Sequence, residues 1–173
     1  QERLIVKTYP LFKVHIPIED ALVRIRDVFE SGFINEGVQV TELTQAMIGV
    51  LDAKNLILTS SCTSALALAL RLAGAGPDTN VVSTPMTCLA SNVGIVTARA
   101  RVVWADIDPE SGMIDPVDVA KKITPQTSAV IAVAWAGAPP DLEMLWTICK
   151  ERKVKFILDA AHAFGAEYKE KPV

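Results

Sequence analysis

The chain has 173 residues, half of them hydrophobic and 21% charged, with a net charge of −3. That balance supports one buried core and excludes a disordered chain. Acidic and basic residues are interspersed and no basic tract occurs, so nucleic acid is not an expected partner. No apolar run reaches membrane-spanning length, and charges interrupt the N-terminus early, so neither a membrane span nor a signal peptide is expected. Cys62, Cys88 and Cys149 are odd in number and widely spaced. They suit neither a disulfide framework nor a zinc site, so the expectation is a reducing cytoplasm and no metal.

Residues 1–17, punctuated by Pro10 and Pro17, read as an extended arm. From Ile18 to Ser31 the apolar residues Ile18, Ala21, Leu22, Ile25, Val28 and Phe29 recur at helical spacing, and Gly32 stops the run. The loop Phe33-Ile34-Asn35-Glu36-Gly37 leads to a second helix at about Val40 to Leu51. A regular alternation then begins. Strands are expected at Leu56–Leu58, Val81–Thr84, Arg101–Ala105, Ala129–Ala134 and Phe156–Leu158. Helices are expected at about Thr63–Ala73, at about Leu89–Ala98, after Asp115-Pro116 and after Pro139-Pro140-Asp141. In the last of these, Leu142, Leu145, Trp146 and Cys149 share one face, and Lys150, Arg152 and Lys153 suit its C-terminal dipole. Strands apolar throughout, each followed by a helix, predict an α/β fold: three α/β/α layers around a mostly parallel sheet.

Ligands of such sheets bind at the carboxyl ends of the strands. Two motifs occupy such ends. Ser60-Ser61-Cys62-Thr63-Ser64 joins a strand to an apolar helix. Exposed N–H groups and the hydroxyls of Ser61, Thr63 and Ser64 can hold a phosphate, or Ser and Thr can simply cap the helix. Asp159-Ala160-Ala161-His162-Ala163-Phe164-Gly165-Ala166 follows another strand. A carboxylate there is costly unless paired, and a protonated pyridine nitrogen is a natural partner. His162 can bond the ring hydroxyl. Equally, Asp159 can cap a helix and His162 can be a satisfied, half-buried side chain. Small Ala160, Ala161, Ala163 and Gly165 leave room for a flat ligand. Together the motifs suggest a pyridoxal 5'-phosphate (PLP) pocket.

On these residues the chain resembles the DegT/StrS family of PLP-dependent nucleotide-sugar aminotransferases, within fold-type I. The carrying segments, in family order, are Ser61–Leu66, Pro85–Asn92, Asp106–Pro109, Ile123–Thr127 and Leu158–Ala166. The resemblance implies that residues 18–173 are part of a PLP-binding large domain, without its C-terminal part or the small domain. It implies that Ser61, Cys62, Thr63 and Ser64 lie at the phosphate, and that Asp159 pairs with the pyridine nitrogen. His162 then lies beside the ring hydroxyl, and the Ile34–Gly37 loop lies on the substrate side. Cys62 stands where a Gly is usual, and Cys88 where many members stack an aromatic ring on the cofactor. Cys88 reads more simply as a small apolar residue than as a reactive thiol.

None of the ten lysines matches the family's Schiff-base position, which falls beyond Val173. The chain is therefore read as the N-terminal part of a longer enzyme and as inactive alone. Its Leu56–Leu58 strand would lack a neighbour and expose an edge that favours self-association. The implied activity is amino transfer from glutamate or a similar donor to a nucleotide-linked keto-sugar, in surface-polysaccharide or antibiotic-sugar synthesis, by a homodimer. The alternatives are a PLP-dependent sugar dehydratase of the same family, or a regulator that keeps the pocket without the chemistry. A nucleotide-binding α/β domain ranks low for want of a Gly-x-Gly-x-x-Gly turn.

Overall fold

The computed structural model describes residues 13–173, so residues 1–12 of the expected arm lie outside it; residues 13–17 form no regular element. The described residues divide into two compact units, separating after Leu43. In the first, α1 (Ile18–Ser31) has the bounds its apolar spacing predicts. Gly32 ends it in the left-handed region at φ 66° and donates its N–H to Phe29 O at 3.1 Å. The apolar stripe is not covered: Ile18, Leu22, Ile25 and Phe29 are all exposed. A turn leads to α2 (Val38–Leu51), and Arg24 Nη1 reaches Gln39 Oε1 at 2.8 Å and Glu42 Oε2 at 3.0 Å. An exposed pair of this kind contributes at most about 1 kcal/mol.

The second unit is built on a four-stranded parallel sheet of order β2-β1-β3-β4. Its strands are β1 (Asn80–Ser83), β2 (Arg101–Trp104), β3 (Thr127–Val133) and β4 (Lys155–Asp159). Helix α3 (Cys62–Leu72) precedes β1, and α4 (Leu89–Thr97), α5 (Pro116–Lys122) and α6 (Leu142–Arg152) connect the successive strands. Alternate strand residues enter opposite cores. Val81, Ala129, Ile131 and Val133 pack with Leu70 of α3 and Ile95 of α4. Val82, Val130 and Ala132 pack with Val119 of α5 and Leu145 and Cys149 of α6. This is the expected three-layer α/β/α arrangement. Among the described residues no helix is long and apolar enough to cross a membrane.

Local chemistry explains most boundaries. Asp115 and Asp141 cap α5 and α6 by accepting the N–H groups of Val117 and Met144 at 2.8 and 3.0 Å. Helices α3 and α4 touch closely because Gly94 lacks a side chain. A Cβ there would lie 3.1 Å from Leu70 Cδ1 and 3.3 Å from Ala67 Cα.

Two expectations are corrected, and one further element is added. Leu56–Leu58 forms no strand: no described segment offers it a hydrogen-bonding ladder, and Ile57 is exposed. Trp146 does not join Leu145 and Cys149 in the core but is exposed. The polar segment around Lys169 is a tight antiparallel hairpin, β5 (Glu167–Tyr168) with β6 (Lys171–Pro172).

Candidate functional site

The carboxyl end of β4 delivers Asp159 into a cavity of about 150 Å³. Its walls are Cys62, Thr63 and Leu66 of α3; Thr87, Cys88, Ala90 and Ser91 at the start of α4; Val133 at the end of β3; and Ala161 and His162 after β4. The sheet dictates part of this meeting, since Val133 pairs in register with Asp159 and α4 follows the end of β1; α3, which follows no strand, reaches the cavity packed against α4.

Asp159 is 5% exposed, and no lysine or arginine lines the cavity. Three donors hold the carboxylate instead. Oδ1 accepts the N–H of Ala161 at 3.1 Å and the thiol of Cys62 at 3.6 Å; Oδ2 accepts Ser91 Oγ–H at 2.6 Å. Burial, the charge of Asp159 and the hydrogen bond to it push the Cys62 thiol pKa up, in that order of weight. The cavity therefore holds Cys62 as a protonated donor and not as a nucleophile.

The N-terminus of α3 opens on the same space. Ser61 is its cap: its hydroxyl accepts the N–H of Ser64 at 3.1 Å and lies 3.0 Å from Ser64 Oγ. The N–H groups of Cys62 and Thr63 have no acceptor among the described residues. Thr63 is half-buried and lines the cavity, whereas Ser61 and Ser64 pair with each other outside its lining. His162 is exposed at the mouth. Its Nδ1 accepts the N–H of Ala136 at 3.3 Å, and its ring lies 5.3 Å from that of Trp135. Ala136 sits in a single 3₁₀ turn, Trp135–Gly137, at φ 54°.

Cys62, Thr63, Cys88, Asp159 and His162 thus share one cavity, with Ser61 and Ser64 at its edge as a helix cap. The sequence reading gave no role to Thr87 or Ser91. The available signal was two hydroxyls four residues apart at the start of an apolar helix, one helical turn on a common face. The residue set fits a flat, anionic, ring-nitrogen-bearing ligand. Free amides at a helix N-terminus suit a phosphate, and a buried carboxylate with no cation suits a protonated heteroaromatic nitrogen.

Comparison with known proteins gives the same answer. A sequence profile of the DegT/DnrJ/EryC1/StrS aminotransferase family matches residues 17–173. The UDP-4-amino-4-deoxy-L-arabinose–oxoglutarate aminotransferase of Shewanella sediminis (strain HAW-EB3) is 32% identical over 164 residues, 95% of this chain and 42% of that protein. The crystal structure of AtS13 from Actinomadura melliaura superposes with a TM-score of 0.89 at 38% identity, over 95% of this chain and 46% of that one. The sugar aminotransferase Spr1654 from Streptococcus pneumoniae, in its PMP form, superposes with a TM-score of 0.89 at 26% identity, over 95% and 45%. The chain spans less than half the length of each.

Proposed function

Because the chain belongs to the DegT/DnrJ/EryC1/StrS aminotransferase family, we propose that it forms the cofactor-holding part of an enzyme that aminates a nucleotide-linked keto-sugar, with glutamate or a similar amino acid as donor. The cofactor is pyridoxal 5'-phosphate. When bound, it supplies an electron-withdrawing cationic ring and carries the amino group between donor and acceptor. One observation carries the reading: a helix N-terminus with free amides and a buried carboxylate without a cation meet in one cavity.

Thr63, with its own amide and that of Cys62, holds the phosphate. Asp159 keeps the ring nitrogen protonated, because an ionised carboxylate shielded from water favours a positive partner. His162 stands on the ring-hydroxyl side. Cys88 closes a wall of the cavity with a small, polarisable side chain. No lysine lines the cavity, so these residues hold the cofactor without themselves moving the substrate proton. The uncovered stripe Ile18, Leu22, Ile25 and Phe29 supports a homodimer. Three free cysteines suit a cytoplasmic protein.

The test is a titration with pyridoxamine 5'-phosphate. Asp159→Asn removes a hydrogen bond between charged partners, about 1.5–3 kcal/mol, or roughly 10- to 150-fold in affinity. Thr63→Ala loses about 1–3 kcal/mol. Native affinity in both variants refutes the site.

A further inference from the structure

Ser91 is 2% exposed on the first turn of α4, and its hydroxyl points at Asp159, 68 residues away in the sequence. That is not the usual choice of a helical serine, which bonds a carbonyl one turn back. Thr97 does this in the same helix, donating to Gly94 O at 3.0 Å. Nor is it the choice of the adjacent Asn92. That side chain is sewn to the end of β1, accepting Ser83 Oγ–H at 2.6 Å and donating to Thr84 O at 3.2 Å. Of two neighbouring buried polar residues, one secures the helix to the sheet and the other faces the cavity.

Proton counting fixes the direction of the chain of hydroxyls. An ionised carboxylate only accepts, so Ser91 spends its single proton on Asp159 Oδ2. The 2.7 Å contact between Thr87 Oγ1 and Ser91 Oγ must then run from Thr87 to Ser91. The two carboxylate oxygens end up unequal. Oδ1 takes two donors, from Ala161 and Cys62, whereas Oδ2 takes only Ser91 and keeps one acceptor position open.

From this asymmetry we infer that Ser91, oriented by Thr87, is a positioning residue for cofactor binding: it aims the open side of Asp159 Oδ2 at the ring nitrogen. The inference rests on the ring-nitrogen role of Asp159 and adds the group that makes that role geometrically definite. The Ser91 hydroxyl donates to the carboxylate alone, so its effect on the ring nitrogen passes through Asp159. A short hydrogen bond to a charged acceptor in a dry site is among the strongest orienting contacts available. Thr87 in turn keeps the Ser91 hydroxyl from rotating back to its own helix.

The experiment is a double-substitution cycle read by the dissociation constant of pyridoxamine 5'-phosphate, in the native protein, Ser91→Ala, Asp159→Asn and the pair together. Ser91→Ala is expected to weaken binding about tenfold, and less than twofold once Asp159→Asn is present. Thr87→Val, at a half-buried position, is expected to weaken binding about threefold and to lose that effect in the same background. It carries the cycle if Ser91→Ala does not fold. Nitrogen-15 NMR of ring-labelled cofactor is expected to show the ring-nitrogen signal displaced in Ser91→Ala, which a general packing defect would not do. Native affinity in Ser91→Ala alongside an impaired Asp159→Asn overturns this inference and leaves the Asp159 role standing. Equal losses in both backgrounds overturn it too. Native affinity in Asp159→Asn overturns both.

Discussion

Gly94→Ala tests how tightly α4, and with it the site, is held. The added methyl would lie 3.1 Å from Leu70 Cδ1, 3.3 Å from Ala67 Cα and 3.4 Å from Ala67 N, all inside the 3.5–4.0 Å optimum for such contacts. The Leu70 contact cannot relax freely, because Leu70 is fully buried among Ala75, Val81 and Ile95. The Ala67 contacts are with helix backbone and cannot relax without moving α3 against α4. Alanine is the better helix former by about 1 kcal/mol, while overpacking costs about 1–3 kcal/mol. The expected balance is a loss of about 1 kcal/mol, or about 2–4 °C in Tm for a chain of this size. Gly94→Val, which adds two more carbons and a branched Cβ, should lose at least about 3 kcal/mol. Urea and thermal denaturation followed by circular dichroism measure both. Ser91 lies one turn before Gly94, so any shift of α4 also lengthens the 2.6 Å contact to Asp159 and weakens pyridoxamine 5'-phosphate binding. A Gly94→Ala protein at least as stable as the native one refutes the argument, because it would mean that the helix pair has slack.

Two further predictions concern the thiols. Burial pushes the Cys149 thiol up from 9.0 to about 11. The folded state keeps this proton where the unfolded state releases it, so the contribution to stability is whole below pH 9 and is lost towards pH 11. The loss is at most about 2–3 kcal/mol, and Cys149→Ala should remove that part of the alkaline decline. The same decline in both proteins would rule it out. In native labelling with a thiol reagent near neutral pH, Cys88 should react first, Cys62 more slowly, and Cys149 only after denaturation. Pyridoxamine 5'-phosphate should protect the two cavity thiols, and peptide mapping that finds Cys149 modified early would count against the fold.

Elements that carry their own instructions were legible in the sequence. The stripe of α1 ends at a glycine, and Asp115-Pro116 and Asp141 announce α5 and α6 because capping is local chemistry. Elements defined by a partner were not. Leu56–Leu58 has a strand's composition, but a strand exists only when paired. The β5–β6 hairpin turns through Lys169 and Glu170 at φ 51° and 64°, where sequence signals look for Gly or Asn. The site divides in the same way. Thr63, Asp159 and His162 stood out because polar residues at the ends of apolar strands need a reason. Ser91 did not, because one serine in an apolar helix usually bonds its own backbone, and only the fold shows that it bonds Asp159.

The 3₁₀ turn after β3 has a consequence for the imidazole it touches. With the Ala136 amide donating to Nδ1, the neutral ring carries its proton on Nε2 alone. His162 in this tautomer can give a hydrogen bond to a bound molecule but cannot accept one, so it favours a phenolate over a phenol. With the cofactor's ring hydroxyl beside His162, as proposed, the ionised form of that hydroxyl would be the one selected, and nitrogen-15 NMR that instead finds the proton on Nδ1 would reverse the preference.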